Sequence, residues 1–398
     1  MWIERNISKF WSDTLHLPVR ALIGLRQVGK STFLHKSKPE GFQYVTLDDP
    51  LARQTAQLDP ELFFEQYPFP LILDECQLAP QLFPSLKKRV DHWRMLNPES
   101  TDSPVWISGS NQILIDKNIK ESLAGRVSYF YLHPLSLAEI KTANPNLHIR
   151  EVLIRGGWPI LWANRALEDS RFYADYIRSA LEKDVIMIGN LEKADSFSRL
   201  LLLLAGRTGN LINPSSLAGD AGIANSTASE WCDLLARLGF IYKLKPYFTN
   251  LSKRVIKSPK LYFCDAGLAA HLCGWTEVTP LLASPQAGAI FENLIFSEII
   301  RIRDQGGLPW SLHFWRTKDG EEVDFVIENG RHQRVGIEAK LGGGDPLRYS
   351  APREFQKTFG DHTPIFLTGL NNETKDWRHG IKSVHPLDLA TELLRALA

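Results

Sequence analysis

The sequence predicts an α/β protein with more than one domain, and three observations lead to this prediction. Apolar runs that suit buried strands alternate with helical patterns over the first third of the chain. The middle has the pattern of three short helices followed by an edge strand. The last third again predicts strands, which carry carboxylate and lysine side chains at short spacing. With 398 residues, two or three domains of about 100–200 residues are expected.

The composition excludes several classes of protein. Apolar residues make up 44% and charged residues 23%, which excludes disorder over most of the chain. The formal net charge of +1 excludes a uniformly basic nucleic-acid coat, although a local basic patch remains possible. The most apolar short run, residues 200–204, is far below the about 20 residues of a membrane-spanning helix. We therefore expect a cytoplasmic protein without a membrane partner, whose four cysteines are free thiols rather than zinc ligands.

The first element is a strand that runs into a glycine-rich turn. Residues 19–25 form an apolar run, and residues 24–31 match G-x-x-x-x-G-K-[ST] without deviation. The glycines let backbone N–H groups face the phosphates of ATP, and the helix that begins behind the turn favours the same anion. We expect Lys30 to reach the β- and γ-phosphates and Ser31 to bind Mg²⁺. The predicted nucleotide-binding residues here are Gly24, Arg26, Gln27, Val28, Gly29, Lys30, Ser31 and Thr32.

Two further strands complete the predicted ATP site. The second ends in Asp74 and Glu75, 44 residues after Lys30. Asp74 is the predicted magnesium ligand, and Glu75 is the predicted general base that orients the attacking water. The third strand leads to Ser110 and Asn111, either of which can sense the γ-phosphate; an ordinary turn is the alternative. These elements predict a P-loop ATPase core over residues 1–133.

The middle of the chain predicts a helical lid over residues 134–192 and a winged helix over residues 193–275. Asn213 and Pro214 suit a capped helix start, a turn follows at residues 221–223, and a third helix ends at Gly239. This order of helix, glycine-bearing turn and helix is the helix-turn-helix pattern. Apolar residues at 241–244 then suggest the first edge of a wing.

The predicted wing is locally basic. No acidic residue occurs from Phe240 to Cys264. The stretch carries six cations, Lys243, Lys245, Lys253, Arg254, Lys257 and Lys260, which are interleaved with Tyr242, Tyr247, Phe248, Tyr262 and Phe263. Cations with interleaved aromatic rings are typical of surfaces that follow the phosphates of DNA. The alternative is a solvated wing that only packs domains together or binds protein.

The last third predicts a restriction-endonuclease-like α/β domain over residues 276–398. Glu292 lies near the start of an amphipathic helix, Asp324 lies on a strand, and Glu338 and Lys340 follow on one face of the next strand. This order resembles the PD-(D/E)xK nucleases. The resemblance implies Glu292, Asp324 and Glu338 as Mg²⁺ ligands and Lys340 as the catalytic cation. We expect Glu322 to lie in solvent, and a fold kept only as a binding platform is the alternative.

Four segments together resemble one family. They are residues 26–30 in the glycine-rich turn, residues 44–50, residues 73–77 and residues 122–126. The set is similar to prokaryotic AAA-type ATPases that carry a C-terminal domain of unknown function with a nuclease-like core, and the resemblance covers about residues 16–370.

The resemblance implies two more site residues. Arg126 would be an arginine finger that acts in trans on the neighbouring subunit's γ-phosphate, and this implies a homo-oligomer; an ordinary helix C-terminal arginine is the alternative. Gly157, Trp158 and Pro159 would lie in the lid beside the base or ribose, and Pro159 is therefore a predicted nucleotide contact. A helix-breaking turn is the alternative there.

These predictions combine into one function and one alternative. The leading prediction is a magnesium-dependent ATP-binding and hydrolysing protein that acts on DNA through the basic wing 243–260 and a nuclease or nuclease-derived C-terminal domain. The alternative is an ATP-controlled molecular switch that binds a protein partner and has an inactive nuclease-like domain. Both require ATP and Mg²⁺ as cofactors.

Overall fold

The computed structural model describes residues 2–13, 17–110, 119, 121–182, 194–247, 258–342 and 350–398. Asn111, Phe248, Lys253, Arg254 and Lys257 of the sequence predictions lie outside these residues. The strands are β1 (Val19–Ile23), β2 (Gln43–Thr46), β3 (Leu71–Asp74), β4 (Val105–Gly109), β5 (Val127–Tyr131), β6 (Ile241–Leu244), β7 (Lys260–Phe263), β8 (Ser311–Arg316), β9 (Glu322–Glu328), β10 (Arg334–Ala339), β11 (Ile365–Thr368), β12 (Lys375–Asp376) and β13 (Ile381–Val384).

The α-helices lie before, between and after these strands along the chain. They are α1 (Ile7–Asp13), α2 (Lys30–Ser37), α3 (Pro50–Leu58), α4 (Pro60–Gln66), α5 (Leu82–Leu96), α6 (Leu137–Ala143), α7 (Ile149–Arg155), α8 (Pro159–Ala163), α9 (Asp169–Tyr176), α10 (Ala194–Ala205), α11 (Pro214–Ala221), α12 (Asn225–Arg237), α13 (Ala266–Leu272), α14 (Val278–Leu282), α15 (Ala287–Gln305), α16 (Ser350–Phe359) and α17 (Leu389–Ala396).

The N-terminal part is built on a parallel sheet with the strand order β2-β3-β4-β1-β5. Its central strands are buried at nearly every position, because helices cover both faces of a parallel sheet. Parallel strands end at one edge, so the turns that follow β1, β3 and β4 meet there. The sheet therefore brings the glycine-rich turn, the Asp74–Glu75 pair and Ser110 together.

A helical segment follows the sheet, and its first helix begins at a capping box. The Ser136 hydroxyl accepts from the Glu139 N–H at 3.3 Å, and the Glu139 carboxylate accepts from the Ser136 N–H at 2.7 Å. This reciprocal pair satisfies N–H groups that the first turn of α6 leaves without a partner inside the helix. Helices α7, α8 and α9 complete the segment, with Pro159 in the first turn of α8.

Three helices and an antiparallel hairpin form the next segment. Asn213 caps α11 with Pro214 in the first turn, and Gly222 ends that helix at φ +69°. Strands β6 and β7 pair antiparallel, with Ile241 opposite Phe263 and Leu244 opposite Lys260. The elements follow the predicted order, and their assignment as a winged helix stays a prediction.

The C-terminal part is built on a mixed sheet with the strand order β12-β13-β11-β10-β9-β8. Strands β8, β9 and β10 form an antiparallel meander, whereas β11 pairs parallel with both β10 and β13. Helix α15 contacts β10 of this sheet, β7 of the hairpin and β5 of the N-terminal sheet. One continuous cluster of buried apolar side chains, from Ile3 to Leu397, joins the three parts.

Candidate functional site

The glycine-rich turn has the geometry of a phosphate-binding loop. Gly29, at φ +95°, directly precedes α2, and a Cβ at Gly24 would lie 2.2 Å from the Leu132 carbonyl oxygen, so neither position suits a larger residue. Lys30 is 5% exposed, and its Nζ donates to the carbonyl oxygens of Gly24 at 3.0 Å and Leu25 at 2.9 Å. The ammonium group therefore lies against the turn whose N–H groups would face the phosphates.

Asp74 lies at the end of β3, is 2% exposed, and accepts hydrogen bonds on both carboxylate oxygens. It accepts hydrogen bonds from the hydroxyls of Ser108 and Tyr44 and from the Glu75 N–H at 3.1 Å. The Tyr44 hydroxyl is also hydrogen-bonded to the Ser31 side chain. Ser31 and Asp74 thus flank one hydroxyl group, and their oxygens are of the kind that Mg²⁺ prefers, so these residues fit the ion.

Glu75 is the second carboxylate at this edge of the sheet. Its Oε2 accepts hydrogen bonds from the Ser110 hydroxyl at 3.0 Å, the Ser110 N–H at 3.3 Å and the Gln77 side chain. The two residues predicted as base and γ-phosphate sensor are therefore in direct contact. Gln77 Oε1 is buried without a hydrogen-bond partner in the described structure, which leaves it available to a water molecule.

Sequence reasoning missed the roles of Tyr44, Ser108 and Gln77 at this site. Tyr44 and Gln77 belong to the segments that carry the family resemblance, but nothing in the sequence assigned chemistry to them. Burial and the Asp74 carboxylate raise the pKa of Tyr44, so its hydroxyl keeps its proton and remains a donor to Asp74.

The lid and the N-terminal segment hold the glycine-rich turn from two sides. Trp158 Nε1 and the Tyr176 hydroxyl donate to the Arg26 carbonyl at 3.3 and 3.4 Å, and Arg5 Nη1 donates to the Val28 carbonyl at 2.8 Å. A cavity lies between these elements. It is lined by Trp2, Ile3, Arg5, Val28, Gly29, Thr32, Leu135, Pro159, Ile160 and Ala163. Its apolar walls suit the base of a nucleotide, and Pro159 lies among them.

Arg126 lies at the edge of the N-terminal sheet opposite to the glycine-rich turn. It immediately precedes β5, which pairs in register with β1 from Val19 to Ile23, and the turn follows the far end of β1. A five-residue strand is about 16 Å long, so Arg126 does not reach the ATP site of its own chain. Its guanidinium pairs with the Asp91 carboxylate of α5 at 2.5 and 2.9 Å. This hydrogen-bonded pairing lowers the pKa of Asp91.

Asp265 joins the lid to helix α15, a role that the sequence did not reveal. It is 1% exposed and lies directly before α13. Its Oδ2 accepts from the Gly157 N–H at 2.8 Å and from Arg301 Nη2 of α15 at 2.9 Å, while its Oδ1 accepts from the Tyr173 hydroxyl at 3.0 Å. The turn that carries Trp158 is thereby fixed to α15.

The structure brings the four predicted residues of the C-terminal domain together. Asp324 Oδ2 accepts from the Ala339 N–H at 2.9 Å, beside Glu338, and Lys340 Nζ lies 2.5 Å from Glu338 Oε1. Burial, reinforced by the Asp324 charge, raises the pKa of both Glu292 and Glu338. We refer to Glu292, Glu322, Asp324 and Glu338 as the carboxylate cluster.

A lysine from the hairpin enters this cluster. Lys260 Nζ lies 3.0 Å from Glu292 Oε1 and 3.5 Å from Asp324 Oδ1, and it also pairs with Glu322. Its side chain is 5% exposed. Burial lowers the pKa of Lys260, but the charges of the three carboxylates outweigh this and raise it above its usual value.

Several predictions for this region need correction. Lys260 is not on a DNA-facing surface, because its ammonium group is buried among carboxylates. Glu322 is not free in solvent, because it pairs with Lys260. Tyr262 and Phe263 are fully buried and are not available to stack on bases, and Lys243 pairs with Asp233 at 2.7 Å.

The predicted magnesium ligands Glu292, Asp324 and Glu338 lie close together in the structure, and their assignment as metal ligands stays a prediction. Over the described residues, no group of three or more histidine, cysteine, aspartate or glutamate side chains is placed to hold a metal ion. In this arrangement the Lys260 ammonium group contacts both Glu292 and Asp324. Among the described helices, none is long and apolar enough to cross a membrane.

Comparison with protein families divides the chain into three matched segments. Residues 17–141 match the family described as AAA domain. Residues 146–279 match "Domain of unknown function (DUF8612)", and residues 287–386 match "Domain of unknown function (DUF4143)". The first segment contains the glycine-rich turn and the Asp74–Glu75 pair.

Relatives resemble the chain over most of its length. "Uncharacterized protein Rv2008c" of Mycobacterium tuberculosis and "Uncharacterized protein Mb2031c" of Mycobacterium bovis are each 31% identical over 316 residues, which cover 78% of this chain and 68% of the relative. Among solved structures, a RuvB variant of Thermotoga maritima is similar with a TM-score of 0.30 and 14% identity, over 60% of this chain and 85% of that one. The chain belongs to the same family as the two mycobacterial proteins, and its AAA domain supports an ATPase of the AAA class.

Proposed function

We propose that the chain is a magnesium-dependent, ATP-hydrolysing molecular switch in which the lid transmits the state of the nucleotide to the C-terminal domain. The observation that carries this proposal is the path of contacts through Asp265. Trp158 holds the glycine-rich turn, the adjacent Gly157 is held by Asp265, and Asp265 is held by Arg301 of α15. A change at the turn therefore reaches α15 through three successive hydrogen bonds.

The residues at the ATP site have separate roles in this proposal. Lys30 exchanges its carbonyl acceptors for phosphate oxygens when ATP binds. Ser31 and Asp74 hold Mg²⁺, which neutralises phosphate charge when bound. Glu75 accepts a hydrogen bond from the attacking water and orients it, while Ser110 and Gln77 fix the carboxylate of Glu75.

The base binds in the cavity between the lid and the N-terminal segment. Trp2 and Ile160 line it and are exposed large apolar residues, 39% and 47% exposed, and Pro159 lies beside them. A base that covers these side chains removes apolar surface from water. Because Ile160 and Pro159 belong to the lid, occupation of the cavity favours a closed position of the lid.

The described part of the hairpin supports the switch more than action on DNA. Lys243 and Lys260 are both used in ion pairs within the chain, and Tyr262 is fully buried. The carboxylate of an internal ion pair offsets part of the cation's charge and so weakens its attraction to a phosphate. A protein partner is therefore the proposed ligand, and stimulation by DNA is the outcome that would reinstate the leading prediction from the sequence.

ATP hydrolysis by the purified chain tests the proposal. We expect Lys30→Ala and Glu75→Gln each to lower the rate by at least about a hundredfold, and Glu75→Gln to retain bound ATP. Lys36→Ala changes an exposed lysine of the same helix and is the matched control, with an expected rate near that of the unchanged chain. Equal rates for all four proteins would reject the ATPase proposal.

The same assay with duplex and single-stranded DNA separates the two partner classes. A rate that no DNA changes is expected for the switch with a protein partner. A rate that one form of DNA raises severalfold, and that Lys245→Ala on the hairpin lowers again, would contradict that choice and restore DNA as the partner.

A further inference from the structure

The carboxylate cluster is occupied by a cation that comes from outside the C-terminal domain. Lys260 begins β7 of the hairpin, 32 residues before Glu292, and its side chain reaches Glu292, Glu322 and Asp324. We propose that Lys260 is the resident cation of the cluster, standing where a divalent metal would bind, and that it locks the hairpin to the C-terminal domain.

Charge supports this assignment. Lys260 faces three carboxylates from two elements, and Glu292 and Asp324 come from different ones, α15 and β9. A divalent ion between the same oxygens would lie within a few ångströms of the ammonium group, and like charges at that distance repel strongly. Lysine and metal therefore exclude one another from this position.

The strand around Lys260 is built to hold it there. Residues two apart on a strand share a face, and Tyr262 accordingly points to the same side as Lys260. The Tyr262 hydroxyl donates to Glu292 Oε1, the same oxygen that Lys260 contacts. The Tyr262 ring stacks on Phe296 of α15, with centroids 4.3 Å apart. The hairpin is thus fastened to α15 by an ion pair, a hydrogen bond and an aromatic contact.

Lys340, the cation predicted from the sequence, pairs with another member of the carboxylate cluster. Its side chain is 38% exposed and its Nζ lies 2.5 Å from Glu338 Oε1, on the same strand end. Lys260 is 5% exposed and bridges α15 and β9. The buried bridging position belongs to Lys260, which the sequence placed on a DNA-binding surface.

Binding of Mn²⁺ to the full, nucleotide-free chain tests the proposal by electron paramagnetic resonance. We expect Lys260→Met to bind one Mn²⁺ per chain at least about tenfold more tightly than the unchanged chain, because the vacated oxygens suit a divalent ion. Adding Asp324→Asn to Lys260→Met should abolish this gain. Lys243→Met, on the same hairpin but paired with Asp233, is the matched control and should bind no more Mn²⁺ than the unchanged chain.

Two results would overturn the proposal, and a second variant tests it if Lys260→Met does not fold. Tight Mn²⁺ binding by the unchanged chain that Asp324→Asn removes would show a metal centre instead of a lysine lock. A folded Lys260→Met chain without new Mn²⁺ binding would also overturn it. If Lys260→Met does not fold, the same measurement on Lys260→Met with Glu322→Gln, which relieves repulsion among the carboxylates, decides by the same criteria. None of these readouts depends on ATP hydrolysis, so they fail or succeed independently of the proposed switch.

Discussion

Glu298 is a buried carboxylate at the contact between α15 and the lid. Its two oxygens accept from the Leu137 N–H at 3.0 and 3.2 Å, at the start of α6. Burial raises the pKa of Glu298 to about 7, although Arg301 and the hydrogen bond from Leu137 act in the opposite direction. The charged form is thus unfavourable in the folded chain, and the protonated form persists nearly to neutral pH.

This pKa predicts a pH dependence of stability. Between about pH 4.5 and 7 the unfolded chain has lost the Glu298 proton while the folded chain keeps it, so rising pH favours unfolding. We expect Glu298→Gln to become more stable relative to the unchanged chain by up to about 3 kcal/mol from pH 4.5 to pH 8. Urea unfolding at a series of pH values measures the difference. Exposed Glu277→Gln is the control, and equal pH slopes for Glu298→Gln and the unchanged chain would contradict the prediction.

Asp265 and Arg301 form a second buried contact with a measurable energy. Each side chain is 1% exposed. Asp265→Asn removes the nearer of the two carboxylates that face the buried Arg301 charge and leaves only Glu298, at 3.9 Å, and we expect the free energy of unfolding to fall by about 3–5 kcal/mol. Asp233→Asn breaks the pair between Asp233 and Lys243, in which Asp233 is 60% exposed, and should cost no more than about 1 kcal/mol. Similar losses of unfolding free energy for both variants, measured by urea unfolding, would contradict the prediction that the buried pair stabilises the fold more than the exposed pair.

At the scale of elements, the turn between α7 and α8 depends on its first glycine. Gly156 has φ +63°, and a Cβ there would lie 2.1 Å from Asp265 Oδ1 and 2.1 Å from the Tyr173 hydroxyl oxygen. Gly219 in α11 instead has no atom within 4 Å of an added Cβ. The two glycines therefore form a matched pair for substitution by alanine.

We expect opposite effects from the two alanine substitutions. Gly156→Ala should displace Asp265, lower the thermal midpoint of unfolding and weaken ATP binding, because the same turn carries Trp158. Gly219→Ala should raise stability by about 0.5–1 kcal/mol and leave ATP binding unchanged, because alanine is the better helix former. If the Gly156→Ala chain bound ATP as tightly as the unchanged chain, the prediction that this turn influences ATP binding would be wrong.

That Lys30, Asp74 and Ser110 lie at one edge of the sheet could be predicted because the signals are local. Strands β1, β3 and β4 are apolar runs, and parallel pairing places Lys30, Asp74 and Ser110 at one edge. Lys260 was not predictable in this way. In the sequence it belongs to a run of cations, which favours a solvated surface, and its partners Glu292 and Asp324 are 32 and 64 residues away. Only the pairing of β7 with β6 and its contact with α15 place that charge in the interior.

At the scale of the whole molecule, the position of Arg126 predicts an assembly. Because Arg126 lies at the sheet edge opposite to its own ATP site, any contact with a γ-phosphate is made in a neighbouring chain. For that contact the guanidinium of Arg126 must leave the carboxylate of Asp91, whose side chain is 39% exposed. A homo-oligomer is therefore the proposed working form.

Mixing two inactive variants tests this proposal. Arg126→Ala keeps a complete ATP site but lacks the finger, whereas Glu75→Gln keeps the finger but lacks the base. We expect each variant alone to hydrolyse ATP at least about a hundredfold more slowly, and a mixture to recover part of the lost rate. Arg94→Ala, another arginine near Asp91 on α5, is the control and should be active alone. Mixtures that stay as slow as the separate variants would exclude action in trans.

The contacts of helix α15 with earlier parts of the chain limit how the matched segments can be exchanged between relatives during evolution. Three side chains along its 19 residues form ion pairs with earlier parts of the chain: Glu292 with Lys260, Arg301 with Asp265, and Asp304 with His133 at 2.7 Å. A fourth, Glu298, accepts a hydrogen bond from the Leu137 N–H. Recombination between relatives at a border of the matched segments would separate Glu292, Arg301 and Asp304 from the side chains with which they pair. A functional chimera thus requires the donor of α15 to supply the facing residues as well, and the three segments are expected to share one ancestry rather than to be exchanged singly.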